Sequence, residues 1–194
     1  FAFCYQWISR VVDQHGGAQD RVRLLAGLTG RVVEIGAGNG LNFQHYPPGV
    51  REVIAVEPED HLRALAERAA DTAPVPIRVV AGHAGDLPLE DGSTNAAVFS
   101  LVLCSVPDPA AALAEAHRVL RPGGSLRFFE HVRSPHRLVG AAQDLLAPAT
   151  AALLGGCHFN RDTAATIRAT DFVIDDLATL HLGGVSHILG HAHK

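Results

Sequence analysis

Lysine is nearly absent from this chain of 194 residues: Lys194 is the single one, and the arginines form no run. With a formal net charge of −4 there is no basic face for a nucleic-acid backbone, which argues against DNA or RNA as the substrate. Cysteine is scarce as well. Cys4, Cys104 and Cys157 are odd in number and far apart, so a disulfide framework is not expected. Free thiols suit a reducing, cytoplasmic setting. No uncharged apolar run reaches the roughly 18 residues that a membrane span needs. The longest apolar stretch, Leu138 to Cys157, is interrupted by Asp144 and Pro148. Methionine is missing altogether, and the start at Phe1 leaves a segment upstream open. Repeats and low-complexity linkers are lacking too, and a composition of 47% hydrophobic and 19% charged residues argues against disorder. The length fits one domain with a substantial core.

What is present is concentrated in Arg31 to Gly40, R-V-V-E-I-G-A-G-N-G. An apolar run followed by a glycine turn is how a parallel strand delivers a loop to a ligand at the carboxyl edge of a sheet. Gly36, Gly38 and Gly40 give G-x-G-x-G, and Leu41 follows, so the G-x-G-x-x-G dinucleotide pattern fails. Glu34 stands just before the turn, where it would repel a pyrophosphate. A carboxylate there suits a cationic ligand or a ligand amino group, which points to S-adenosylmethionine (SAM), carrying both a sulfonium and an ammonium.

The partners of such a loop follow in order. Val53 to Glu57 is a second strand run ending in an acid, placed to accept from ribose hydroxyls. Pro76 to Val80 reads as a third strand. Beyond it Asp86 can accept from an adenine amino group while Leu87 covers the ring. Asn95 to Leu103 is a nearly continuous apolar run, as expected of a strand buried on both faces. A helix over 108–120 ends at Pro122 and Gly123, and Ser125 to His131 is the fifth strand.

Together E-I-G-A-G-N-G, Glu57, G-D-L-P-L-E-D-G-S and L-R-P-G-G resemble the class I SAM-dependent methyltransferases over about half the chain. A narrower resemblance rests on N42-F43-x-x-Y46-P47-P48-G49, L101-V102-L103-C104-S105-V106, E130-H131-V132, G156-C157 and the terminal H187-I188-x-G190-x-A192-x-K194. It is to the methyltransferase-like branch that includes microsomal alkyl-thiol methyltransferases. The resemblance implies a Rossmann-like α/β fold: a doubly wound, mostly parallel seven-stranded sheet with a terminal antiparallel hairpin and helical lid elements. It implies SAM as cofactor, held by Glu34, Gly36, Ala37, Gly38, Gly40, Asn42, Glu57, Pro58, Asp86, Leu87, Ser100 and Leu101. Main-chain carbonyls of Ser100 and Leu101 would meet the amino-acid portion. Glu34 would bind the methionine amino group directly, through water, or hold the loop from behind; Asn42 would assist a carboxylate or a loop amide.

A sulfonium methyl is already activated, so transfer needs an in-line nucleophile about 3–3.5 Å away and little else. A thiol, with an unperturbed pKa near 8.5, reacts as thiolate, so a modest shift suffices. His131, at the end of strand five, is the candidate catalytic residue, as a base or as a loop-bonding group. Glu130 would point the other way and orient a ring or form an ion pair. Cys104 reads as a pocket-lining residue or a small buried hydrophobe, and Cys157 with His158 as a pair closing the pocket. His187, His191 and His193 alternate along the last strand, but no acid or cysteine motif accompanies them, and no metal is expected.

The organisation expected is a single domain: a helical cap over 1–30, a cofactor-binding core over 31–132, a helical insert over 133–170 broken at Pro148, and terminal strands over 171–194. F-A-F-C-Y-Q-W-I at the start reads as a helix packed on the domain, or as a lid or peripheral membrane contact. The function expected is methyl transfer to a small molecule, preferably a thiol or sulfide. O- or C-methylation of a phenol or quinol, and a non-catalytic SAM-binding protein, are the alternatives.

Overall fold

The structure is a computed structural model that describes residues 17–182 and 185–194. The start of the expected helical cap, with the packed-helix, lid and membrane-contact readings of F-A-F-C-Y-Q-W-I, lies outside them. The first described helix, α1 (Ala18–Leu25), precedes β1 (Gly30–Ile35). Then come β2 (Val50–Val56), α2 (Asp60–Ala70), β3 (Ile77–Val80), β4 (Thr94–Ser100), α3 (Pro109–Val119) and β5 (Leu120–His131). The chain continues through α4 (Arg137–Leu153), α5 (Thr163–Arg168), β6 (Val173–Leu182) and β7 (Val185–His193).

The strands form one seven-stranded sheet in the order β3-β2-β1-β4-β5-β7-β6. All pairings through β5 are parallel, and β7 runs antiparallel to both β5 and β6. This is the doubly wound sheet with an antiparallel end that the motif order implied. Alternation of side chains across the pleat divides the core in two. Val33, Ile35, Ala97, Phe99, Leu126 and Phe128 pack on one face with Leu113, Ala116 and Val119 of α3. Val32, Ala96, Val98 and Phe129 pack on the other with Leu24 and Leu25 of α1 and Ala66 of α2. Helices on both faces make the central strands apolar at nearly every position.

Two local expectations are corrected. Strand five begins earlier than Ser125: Leu120 already pairs with Thr94, Arg121–Gly124 loop out, and pairing resumes at Ser125 opposite Ala96. The R-P-G-G turn is therefore an irregularity inside β5, with Gly123 at φ +71°. The insert helix is not broken at Pro148, because α4 runs through it. Pro148 is exposed, so the Asp144 carbonyl that loses its helical donor is at the surface, where water can replace it. Among the described residues no helix is long and apolar enough to cross a membrane.

Candidate active site

The carboxyl ends of β1, β2 and β4 open onto a cleft of about 470 Å³. The glycine turn after β1 forms one wall. Gly36 and Ala37 donate their N–H groups to Val56 O at 2.8 and 3.1 Å, which pins the turn to the end of β2. Gly36 has φ +69°, and a Cβ there would lie 2.7 Å from the Val102 side chain. Only glycine fits where these two loops meet. Gly36, Gly38, Glu57, Pro58, His83, Leu101 and Ser105 are among the residues facing the cleft.

Glu57 ends β2 and is buried at the cleft floor. One carboxylate oxygen accepts from Gly38 N at 2.8 Å and the other from Glu59 N at 3.0 Å. Burial raises its pKa, and the two main-chain donors oppose that. Each oxygen keeps acceptor capacity toward the cleft.

Glu34 faces away from the cleft, into a buried polar network behind the glycine turn. Its carboxylate accepts from Asn42 Nδ2 at 2.8 Å and from Tyr46 OH at 2.7 Å. Arg21 of α1 in turn donates to Asn42 Oδ1 at 2.8 Å and to Ser100 Oγ at 3.1 Å. Burial pushes the Glu34 pKa up to about 7, against the lowering by Tyr46, Asn42 and the Arg21 charge. Burial and the Glu34 carboxylate together raise the Tyr46 phenol well above its ordinary value. The two partners of Glu34, Asn42 and Tyr46, belong to the segment that follows the glycine turn. Gly40, with φ +81°, comes so close to the Phe43 ring that a Cβ would lie 2.8 Å from it.

Asp86 and Leu87 are placed apart from these. Asp86 is exposed and bridges His83 through the main chain. Leu87 is 3% exposed, packs into the core and donates its N–H to Glu115 at 2.8 Å. The residues of that loop that face the cleft are Gly82 to Gly85.

On the far wall the chain leaves β4 through Leu101, a non-glycine residue at φ +61°. That conformation costs an L-residue on the order of 1–3 kcal/mol, so its surroundings must impose it. Two anchors do. Leu101 N donates to Phe129 O at 2.7 Å. The fully buried Glu130 accepts from Val102 N and Leu103 N at 2.9 Å each and from Cys104 N at 3.1 Å. Burial lifts the Glu130 pKa to about 7 despite these three donors. Glu130 is thus a clamp on the β4 loop and not the ring-orienting or ion-pairing group expected.

His131, half-buried at the end of β5, meets both described cysteines. Its Nδ1 lies 3.4 Å from Cys104 Sγ and 3.4 Å from Cys157 Sγ, and the two sulfurs are 3.4 Å apart. Sharing with the Cys104 thiol and with His131 lowers the Cys157 pKa, and the same contact with burial raises that of Cys104. The His131 ring sits 4.6 Å from both Phe159 and His187. His187 stacks on Phe129, and burial followed by the His131 charge lowers its pKa to about 4. The three alternating histidines of β7 do not gather: His187 is buried, whereas the exposed His193 bonds Asp175 at 2.8 Å. Tyr46, Glu130, Cys104 and Cys157 all lie in the segments that carried the narrower resemblance. Arg21 carried no local signal at all.

A G-x-G turn, an acid at the tip of the second strand and a seven-stranded sheet with an antiparallel end together define the SAM-dependent methyltransferase class. Residues 33–128 match the family model described as a methyltransferase domain, and this stretch of the chain is such a domain. Thiol S-methyltransferase TMT1B of Homo sapiens is 37% identical over 158 residues, 78% of this chain and 64% of the human protein. The ubiquinone/menaquinone biosynthesis C-methyltransferase UbiE of Methylobacterium nodulans is 37% identical over 136 residues, 65% of this chain and 53% of that one. The chain thus spans less than two thirds of the length of these relatives. In fold it is similar to a SAM-dependent methyltransferase of Thermotoga maritima, with a TM-score of 0.73 and 22% identity, covering 100% of this chain and 98% of that one.

SAM is the cofactor of this class, and the cleft fits it. The volume falls within the roughly 300–1,000 Å³ of small-molecule sites. The glycine turn offers main chain without a Cβ, and the Glu57 carboxylate at the cleft floor can accept from hydroxyl groups.

Proposed function

We propose that the chain transfers a methyl group to a small thiol or sulfide. The observation that carries this reading is the 37% identity, over 158 residues, to a protein named as a thiol S-methyltransferase. SAM supplies an activated methyl group, so the protein's part is binding, orientation and water exclusion. On this reading Gly36, Gly38 and Glu57 hold the cofactor, and Leu101 to Ser105, fixed by Glu130, form the wall nearest the acceptor. His131 is the acceptor-side residue. Its Nδ1 is engaged by two sulfurs.

The second reading is C-methylation of a quinol, favoured by the matching identity to a quinone-biosynthesis methyltransferase. S-adenosylhomocysteine formation with matched sulfide, alkyl thiol, phenol and quinol acceptors separates the two. Thiol-dependent turnover is expected. Turnover with quinols alone keeps the class and overturns the acceptor. SAM binding without turnover on any acceptor points to a binding-only role.

A further inference from the structure

The trio Cys104, His131 and Cys157 is not part of the cleft lining and lies just behind its wall. Its three ligand-type atoms form a nearly equilateral triangle 3.4 Å on a side. The corners of such a triangle are about 2.0 Å from its centre, so an ion raised about 1 Å from the plane reaches all three at the roughly 2.0–2.3 Å of zinc–nitrogen and zinc–sulfur bonds. We infer that Cys104, Cys157 and His131 Nδ1 form a binding site for zinc(II).

The donor set selects the ion. Two sulfurs and an imidazole disfavour magnesium and calcium. Cys104 and Cys157 are buried, and two thiolates with a divalent cation leave no net charge there. Binding releases to solvent the protons that the thiols still hold. A disulfide explains the arrangement less well. It would have to close the sulfurs from 3.4 Å to about 2.05 Å, needs an oxidant, and gives the imidazole no role.

The ligands are held in place before any ion arrives. Glu130 fixes the Cys104 N–H, and His158 N donates to Cys104 O at 2.8 Å, drawing the Cys157 segment onto the β4 loop. Gly156 permits that approach: at φ +86°, a Cβ there would lie 3.0 Å from Ser105 O. Phe159 and His187 flank the imidazole and orient it.

Three protein ligands leave a tetrahedral zinc one open position. Resting on the thiol reading, that position takes the acceptor sulfur: the thiol displaces a bound water and gives its proton to solvent. The site adjoins the cleft, since Ser105, next to Cys104 in the chain, and Gly155, two residues before Cys157, both line it.

The test uses the reduced, metal-free chain titrated with cobalt(II) and then zinc(II). One equivalent of cobalt, a sulfur-to-cobalt absorption band in the near ultraviolet and displacement by zinc are expected. Cys157→Ala and His131→Gln, shown to be folded by thermal melting and to bind SAM, should each weaken zinc by at least about 100-fold, the upper end of the effect of losing a partner outside the ligands themselves. Absence of the band, with two freely titrating thiols or a disulfide instead, overturns the site. Added sulfide should strengthen the band, and an unchanged band overturns the assignment of the open position. Full-rate thiol methylation by the metal-free chain removes the metal's part and upholds the thiol reading. Bound zinc without thiol turnover does the reverse.

Discussion

Both oxygens of Glu57 already accept a main-chain N–H, so this residue shapes the glycine turn as well as the cleft floor. Glu57→Ala should weaken SAM binding by about tenfold or more, equivalent to about 1.4 kcal/mol, in calorimetry. Unchanged affinity would remove it from the cofactor site. His131→Ala should lower turnover by about 100-fold, in the range of a lost acid–base or positioning group, while SAM affinity changes little. Equal losses in both would make it a packing residue. Glu34 gives a prediction in pH. Its folded-state pKa, about 7, exceeds the ordinary 4.5, so between these values the folded chain keeps a proton that the unfolded chain has released. Its contribution is therefore full below about pH 4.5 and is lost as pH rises through 7. Glu34→Gln keeps an acceptor for Asn42 and should flatten that fall, read as urea midpoints at pH 5, 6, 7 and 8. An unchanged slope would mean that Glu34 is ionised in the folded chain.

At the scale of elements, the β4 loop depends on one side chain of β5. Glu130→Gln offers an oxygen to Val102 and Leu103 but presents an NH₂ group to the Cys104 N–H. The orphaned donor should cost about 1–3 kcal/mol in denaturant unfolding. In α4 the opposite holds. Pro148→Ala restores a helical N–H at an exposed position and should stabilise the fold by up to about 3 kcal/mol, seen as a raised Tm. What was legible in the sequence divides along the same line. The β1 glycine turn, Glu57 and the strand order show because each signal is local: an apolar run, a glycine spacing, an acid at a strand tip. The clamp by Glu130 and the trio around His131 are joined across 26 to 28 residues and more, and the Arg21–Ser100 bond spans 79. Topology alone brings such partners together. Pro148 misled because propensity describes a helix in isolation, and the surface position of α4 tolerates a missing bond.

In the whole molecule, β7 follows β6 in the chain yet lies between β6 and β5. The sheet therefore cannot grow in the order in which its strands are made. Until β7 arrives, β5 presents an open edge and β6 has nothing in the sheet to pair with. His131 is opposite His187 in that last pairing, so on the proposed reading the acceptor side is incomplete until the edge is closed. A chain stopped after Leu182 is expected to bind SAM weakly and to aggregate through β5, seen as light scattering on refolding. Soluble, monomeric chains with full SAM affinity would show instead that the parallel half stands alone. Competence for chemistry would thus be conferred at the final step of folding: a nascent or partly unfolded chain, its β5 edge still open, would have neither a firm cofactor half nor a finished acceptor side on which to turn the methyl group over.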